Sequence, residues 1–139
     1  EQVYEWCSQS RGQINTIFTV DDLNQLRRSG RASTVIAMVG TVLKIKLILR
    51  MSQGGILKQE TKVRGRKKSL DEIAKRALRD IKEPQTVFIS HGDCPLDARY
   101  LADHLRKSEK VKRIIIQTLD PVIGVHTGPG SIGIFFISY

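Results

Sequence analysis

Val122-Ile-Gly-Val-His-Thr-Gly-Pro-Gly-Ser-Ile-Gly-Ile-Phe-Phe136 sets a histidine, a hydroxyl and several glycines in quick succession and then runs into an apolar stretch. Proline fixes φ and lacks an amide donor, and the flanking glycines reach conformations other residues resist, so Gly128-Pro129-Gly130 predicts a tight bend of little bulk. Upstream, Asp120-Pro121 has the form of a helix N-cap followed by proline at the first helical position. The stretch therefore predicts a helical turn at Pro121–Val125, the bend, and a buried strand over Ile132–Ile137. His126 and Thr127 stand where the bend begins. A histidine at a helix end beside an open bend suits a ligand contact; it equally suits a ring that satisfies local carbonyls.

Working outward, the chain alternates strands and helices. Val3, Trp6 and Cys7 share one face of a helix that Gly12 stops, and so large an aromatic near the start implies packing on something upstream. Ile14–Val20 alternates as a strand. Asp21 or Asp22 caps a short helix over Leu23–Arg28, ended by Ser29-Gly30-Arg31. Ser33 or Thr34 caps a helix over Thr34–Lys44 that is apolar around most of its circumference, fit for a core or an apolar site. Ile45–Met51, read with one solvated face, and Ile56–Val63 form a hairpin around a turn at Ser52–Gly55, followed by a basic turn, Arg64–Lys68. Ser69 and Glu72 have capping-box spacing before a helix over Leu70–Ile81. Thr86–Ser90 and Val111–Gln117 read as strands on either side of a helix, Leu96–Lys107. These elements predict a two-layer α+β sandwich: a mixed or mainly antiparallel sheet of about six strands with helices mostly on one face.

At 139 residues with 40% apolar content, the chain suits one domain, or one plus part of another. No apolar run approaches the length of a membrane-spanning helix, and no signal-peptide pattern is present. The start at Glu1 fits processing or a piece of a longer chain. Cys7 and Cys94 lack metal spacing, which favours a reduced cytoplasmic protein. A net charge of +9 favours anionic partners, but 6% aromatics and no aromatic-rich basic strand give no support to stacking on nucleic acid.

Three clusters carry candidate chemistry. His91-Gly92-Asp93-Cys94 has too few ligands for a metal and runs directly into a helix entry at Pro95. Lys62, Arg64, Arg66, Lys67 and Lys68 form a solvated turn or a docking patch for an acidic surface. Arg31 precedes the N-terminus of the apolar helix, where a guanidinium and free amides together suit a carboxylate or phosphate, or where the arginine merely caps the preceding helix. An apolar helix with a cationic entrance suits an amphiphile with an anionic head.

These residues resemble the DegV family of bacterial fatty-acid-binding proteins, in its C-terminal part. Phe18-Thr-Val-Asp-Asp-Leu-Asn-Gln-Leu-Arg-Arg-Ser-Gly-Arg31, the hairpin Leu43-Lys-Ile-Lys-Leu-Ile-Leu49 with Gly55, Lys62-Val-Arg-Gly-Arg-Lys-Lys68, Ile89-Ser-His-Gly-Asp93 and Val122-Ile-Gly-Val-His-Thr-Gly-Pro-Gly130 match family segments in order, the last most specifically. Leu47 stands where the family usually has proline.

The resemblance implies a carrier, with no catalytic residue, no metal and no cofactor beyond a bound long-chain fatty acid. Residues 14–139 would be the lipid-binding second domain and residues 1–13 a remnant of the joining helix, with the N-terminal domain essentially absent. It implies a cytoplasmic protein that presents the carboxylate to a fatty acid kinase for acyl phosphate formation. The expected lipid-binding set is Arg31, Ser33, Ile36, Val39, Gly40, Leu43, His126, Thr127 and Gly128, with Arg31 and His126 near the acid head. Transient contact with an anionic membrane and a homodimer through the exposed junction surface are further expectations; nucleic acid is not an expected partner. The alternatives are a basic interaction module for anionic membrane or nucleic acid, and a hydrolase using His126 or His91 with Cys94.

Overall fold

The computed structural model describes residues 1–30, 44–51 and 55–138. Their elements run α1 (Gln2–Ser10), a 3-10 turn (Arg11–Gln13), β1 (Ile14–Thr19), α2 (Leu23–Arg28), β2 (Ile45–Met51), β3 (Leu57–Arg64), α3 (Arg66–Asp80), β4 (Gln85–His91), α4 (Pro95–Leu105), β5 (Val111–Thr118), α5 (Pro121–Thr127) and β6 (Ile132–Ile137). The expected apolar helix, Thr34–Lys44, lies outside the described residues except for Lys44, which is in a turn. One sheet holds all six strands in the order β3-β2-β1-β6-β4-β5. It is antiparallel except for β4 and β5, which run parallel on either side of α4. The fold is the expected α+β class with a mixed sheet.

The two long helices cover one face. Leu70, Ile73, Ala74, Ala77 and Ile81 recur at helical spacing on α3, as do Ala98, Leu101, Ala102 and Leu105 on α4. They bury against Ile17, Ile48, Val87, Ile89, Ile132, Ile134 and Phe136 of the sheet. Residues one step along the strands point the other way, as the period of two requires. There Val20, Leu26, Leu47 and Leu49 form a second, smaller core with Phe18 and Leu57.

β2 departs from the expectation of one solvated face. Leu47 and Leu49 fill one core and Ile48 the other, and all three are fully buried. Its polar residues are held as well. Lys46 donates to Asp21, and Arg50 donates to Glu60 (3.0 Å), Asn15 (3.1 Å) and Asp80 (2.5 Å). A β-bulge between Ile48 and Leu49 leaves Glu60 as the extra residue of β3. Glu60 thereby reaches both Arg50 and Arg76 of α3. Leu47 pairs with Lys62 in the same ladder.

Helix starts follow local chemistry, with two corrections. Asp22 caps α2 by accepting from Asn24 N, and Asp120 caps α5 by accepting from Val122 N, both at 2.8 Å. α3 begins at Arg66, not after Ser69, so the basic turn is partly helical. Gly65, at φ 97°, turns the chain straight from β3 into the helix, and Ser69 is buried with its hydroxyl on Arg66 O. Glu72 pairs with Arg76 instead of closing a capping box. α5 runs two residues further than expected, through Thr127, so His126 lies in a helical turn and not in the bend.

Burial disfavours the Asp80 carboxylate, but hydrogen bonds and charge from Arg79 and Arg50 outweigh it and hold its pKa below the ordinary range. With the folded pKa below the unfolded value of about 4, the stabilisation is complete above that value and is lost as pH falls through the folded pKa. Arg50→Met is expected to lower the unfolding free energy by about 1–3 kcal/mol at pH 7. Asp80→Asn is expected to flatten the loss of stability below pH of about 4. Urea denaturation across a pH series checks both.

Candidate functional site

Among the described residues, the second face of the sheet is only partly roofed. α2 and α5 lie side by side over it, joined by Gln25 Nε2 donating to Val125 O at 2.7 Å. Between this roof and the strands is a cavity of about 490 Å³. Thr16 and Phe18 of β1 and Gly133 and Phe135 of β6 form its floor, Leu57 a wall, and Leu26 and Ile123 face it from the helices. Strand alternation puts these four floor residues on the face away from α3 and α4. Gly133 stands opposite Phe18 in the ladder, and a Cβ there would lie 2.9 Å from Phe18 Cβ. The missing side chain lets the floor come down to the backbone between the two rings.

His126 supplies the polar point. Its half-buried ring lines the cavity, and its Nδ1 is buried with no hydrogen-bond partner among the described residues. Such a nitrogen is costly unless something pairs with it. The hydroxyls of Thr127 and Ser131 are engaged. Ser131 Oγ donates to Gly128 O, while Thr127 Oγ1 lies 2.9 Å from both Ile123 O and Ser131 Oγ. Thr127 lines the cavity, yet its single proton is shared between those two acceptors. Gly128 adopts φ 75° and packs on the Gln25 side chain; its place is in the backbone turn that ends α5. Arg31, Ser33, Ile36, Val39, Gly40 and Leu43 lie outside the described residues. Gly30, next to Arg31 in sequence, lines the cavity.

The bend is plaited to the loop after β4. Gly92 N donates to Ser131 O (2.8 Å) and Gly130 N donates to Gly92 O (2.6 Å). A Cβ on Gly92 would stand 3.0 Å from Ser131 Oγ, and one on Gly130, at φ 78°, would stand 2.6 Å from Asp21 Cβ. His91, 8% exposed, accepts Cys94 N at Nδ1 (3.2 Å) and so builds the loop. Burial pushes the Cys94 thiol up, with Arg66 offsetting part of the effect. The protonated thiol is thereby favoured and one ring nitrogen is spent on a backbone amide, the reverse of an activated cysteine–histidine pair.

Sequence reasoning missed Phe18, Leu26, Leu57, Ile123 and Phe135 as cavity residues. The alternation of the strand residues Phe18, Leu57 and Phe135 was visible; which face the cavity lies on depends on where the helices pack.

The whole chain, residues 1–139, matches the family described as uncharacterised protein, DegV family. The chain belongs to the DegV family. A DegV domain-containing protein of Clostridium perfringens is 39% identical over 139 residues, covering 99% of this chain and 48% of the relative. The crystal structure of a fatty acid binding DegV family protein from Streptococcus agalactiae superposes with TM-score 0.86 at 25% identity, covering 99% of this chain and 49% of that one. A DegV lipid binding protein from Thermotoga maritima superposes with TM-score 0.80 at 28% identity, covering 99% and 48%. This chain thus spans about half the length of the DegV relatives it matches.

Gly130→Ala is expected to lower the unfolding free energy by more than about 1 kcal/mol, through a positive φ and a blocked Cβ. Gly124→Ala, where nothing lies within 4 Å of the added carbon, is expected to be neutral or to stabilise α5 by up to about 1 kcal/mol. Denaturation midpoints of the two variants check the contrast.

Proposed function

We propose that this chain is a fatty-acid-binding domain that holds an acyl chain in the cavity under α2 and α5, with the carboxylate at His126. One observation carries the reading: an apolar cavity lined by His126, whose buried Nδ1 has no hydrogen-bond partner among the described residues. Its volume suits a single lipid tail. Burying about 14 methylenes contributes about 11 kcal/mol before ordering costs, whereas one hydrogen bond to a carboxylate contributes about 1.5–3 kcal/mol. The tail supplies affinity and the histidine supplies direction. A group held this way is carried, not transformed.

The wider reading follows the family. The chain is the second of two domains, residues 14–139, with residues 1–13 leading in from the first. The doubled length of the relatives supports this, as do Val3, Tyr4 and Trp6, which α1 leaves exposed. Left alone, that surface pairs with a second copy. By the family resemblance we assign Arg31, Ser33, Ile36, Val39, Gly40 and Leu43 to the lipid-binding set together with His126, Thr127 and Gly128. In the cytoplasm the domain offers the carboxylate to a fatty acid kinase and meets anionic membrane transiently through its basic surface. No helix among the described residues is long and apolar enough to cross a membrane.

Native mass spectrometry of the purified protein, followed by organic extraction, is expected to find one fatty acid per chain. Ile123→Asp, which places a charge in the roof, is expected to remove it. Retention of the same lipid by Ile123→Asp would contradict the site. An empty chain that stays empty when joined to its N-terminal half and supplied with long-chain fatty acids would contradict the function.

A further inference from the structure

We propose that Arg66 is a positioning residue for the ligand end of this site, acting through the bend that follows His126. The inference rests on the acyl-binding reading above and deepens it. The sequence places Arg66 in a basic turn, where a solvated charge is the ordinary outcome. Instead its side chain is mostly buried and reaches across the fold from the first turn of α3. Nε donates to Asp97 Oδ2 at 2.8 Å, which fixes the plane of the guanidinium. Nη2 donates to Gly130 O at 2.6 Å and lies 3.6 Å from Cys94 Sγ.

Gly130 O is a consequential acceptor. Gly130 N is already bound to Gly92 O, so the peptide units on both sides of this residue are fixed. From there the chain to His126 is short and held at each step. Ser131 Oγ donates to Gly128 O and meets Thr127 Oγ1, and Gly128 N donates to Gly124 O to close α5. Pro129 stiffens the link between Gly128 and Gly130. Displacement of Gly130 therefore passes to the last turn of α5, where His126 sits. A charged donor on a neutral carbonyl is a strong hydrogen bond, and Asp97 keeps it aimed. Lysine cannot hold both acceptors in that planar geometry.

The test is a double-mutant cycle with palmitate as the probe, using Arg66→Gln, His126→Gln and the pair. Each single variant is expected to weaken palmitate binding about ten-fold, and the pair by little more than either alone, because both act on one contact. Arg66→Lys is expected to fall between wild type and Arg66→Gln. In NMR spectra, Arg66→Gln is expected to shift the His126 ring nitrogens while α3 and α4 core methyls stay in place. Losses that multiply in the pair, or an unchanged His126 spectrum in Arg66→Gln or Arg66→Lys, would overturn the positioning role. Unchanged palmitate affinity in His126→Gln would instead overturn the placement of the carboxylate at His126 on which it rests, and no palmitate binding by the unmutated protein would overturn the acyl-binding reading.

Discussion

β6 is the strand on which the rest of the structure depends. It lies between β1 and β4, pairing with six residues of one and four of the other. On one side stands the antiparallel group β3-β2-β1; on the other the parallel pair β4 and β5, linked through α4. Without β6 those two groups share no ladder among the described residues. Ile132, Ile134 and Phe136 are buried in the larger core, each contributing about 1.5–3 kcal/mol on the transfer scale. The strand's far end is tied as well, since the Gln85 side chain both accepts Ile137 N and donates to Ile137 O, each at 2.7 Å. The same strand then turns its other face, Gly133 and Phe135, to the cavity. Core and site are thus two sides of one strand.

This arrangement separates the packed core from the cavity. The face under α3 and α4 is closed by aliphatic side chains at full burial, backed by the Arg50–Glu60–Arg76 network at its edge. Among the described residues, the opposite face is covered by two short helices and holds the cavity of about 490 Å³. Beside that cavity the Thr127 and Ser131 hydroxyls are satisfied, whereas Nδ1 of His126 has no partner among the described residues.

Much of this was legible in the sequence. The periodic stripes of α3 and α4 and the caps at Asp22 and Asp120 lie in local patterns, and the strands follow from alternation. The order of the strands was not, because nothing local says that the last strand inserts between β1 and β4. The burial of β2 on both faces also escaped, since Lys46 and Arg50 read as solvated until their partners Asp21, Glu60 and Asp80 are seen. Of the residues that line the cavity, His126 and Thr127 stand out in the histidine and glycine pattern of the sequence. The aromatic floor does not, for an alternating strand shows which residues share a face but not which face holds the cavity. Arg66 escaped for the same kind of reason: its value lies in a carbonyl 64 positions away.

The most direct measurement of the central claim is where an acyl chain lies. Intermolecular NOEs from protonated palmitate to the deuterated protein with labelled methyls locate it. The account predicts contacts to the methyls of Leu26, Leu57 and Ile123, with the labelled carboxyl carbon close to His126. Contacts instead to Ile73, Ala77 and Leu101, or to the exposed side of α1, would contradict it.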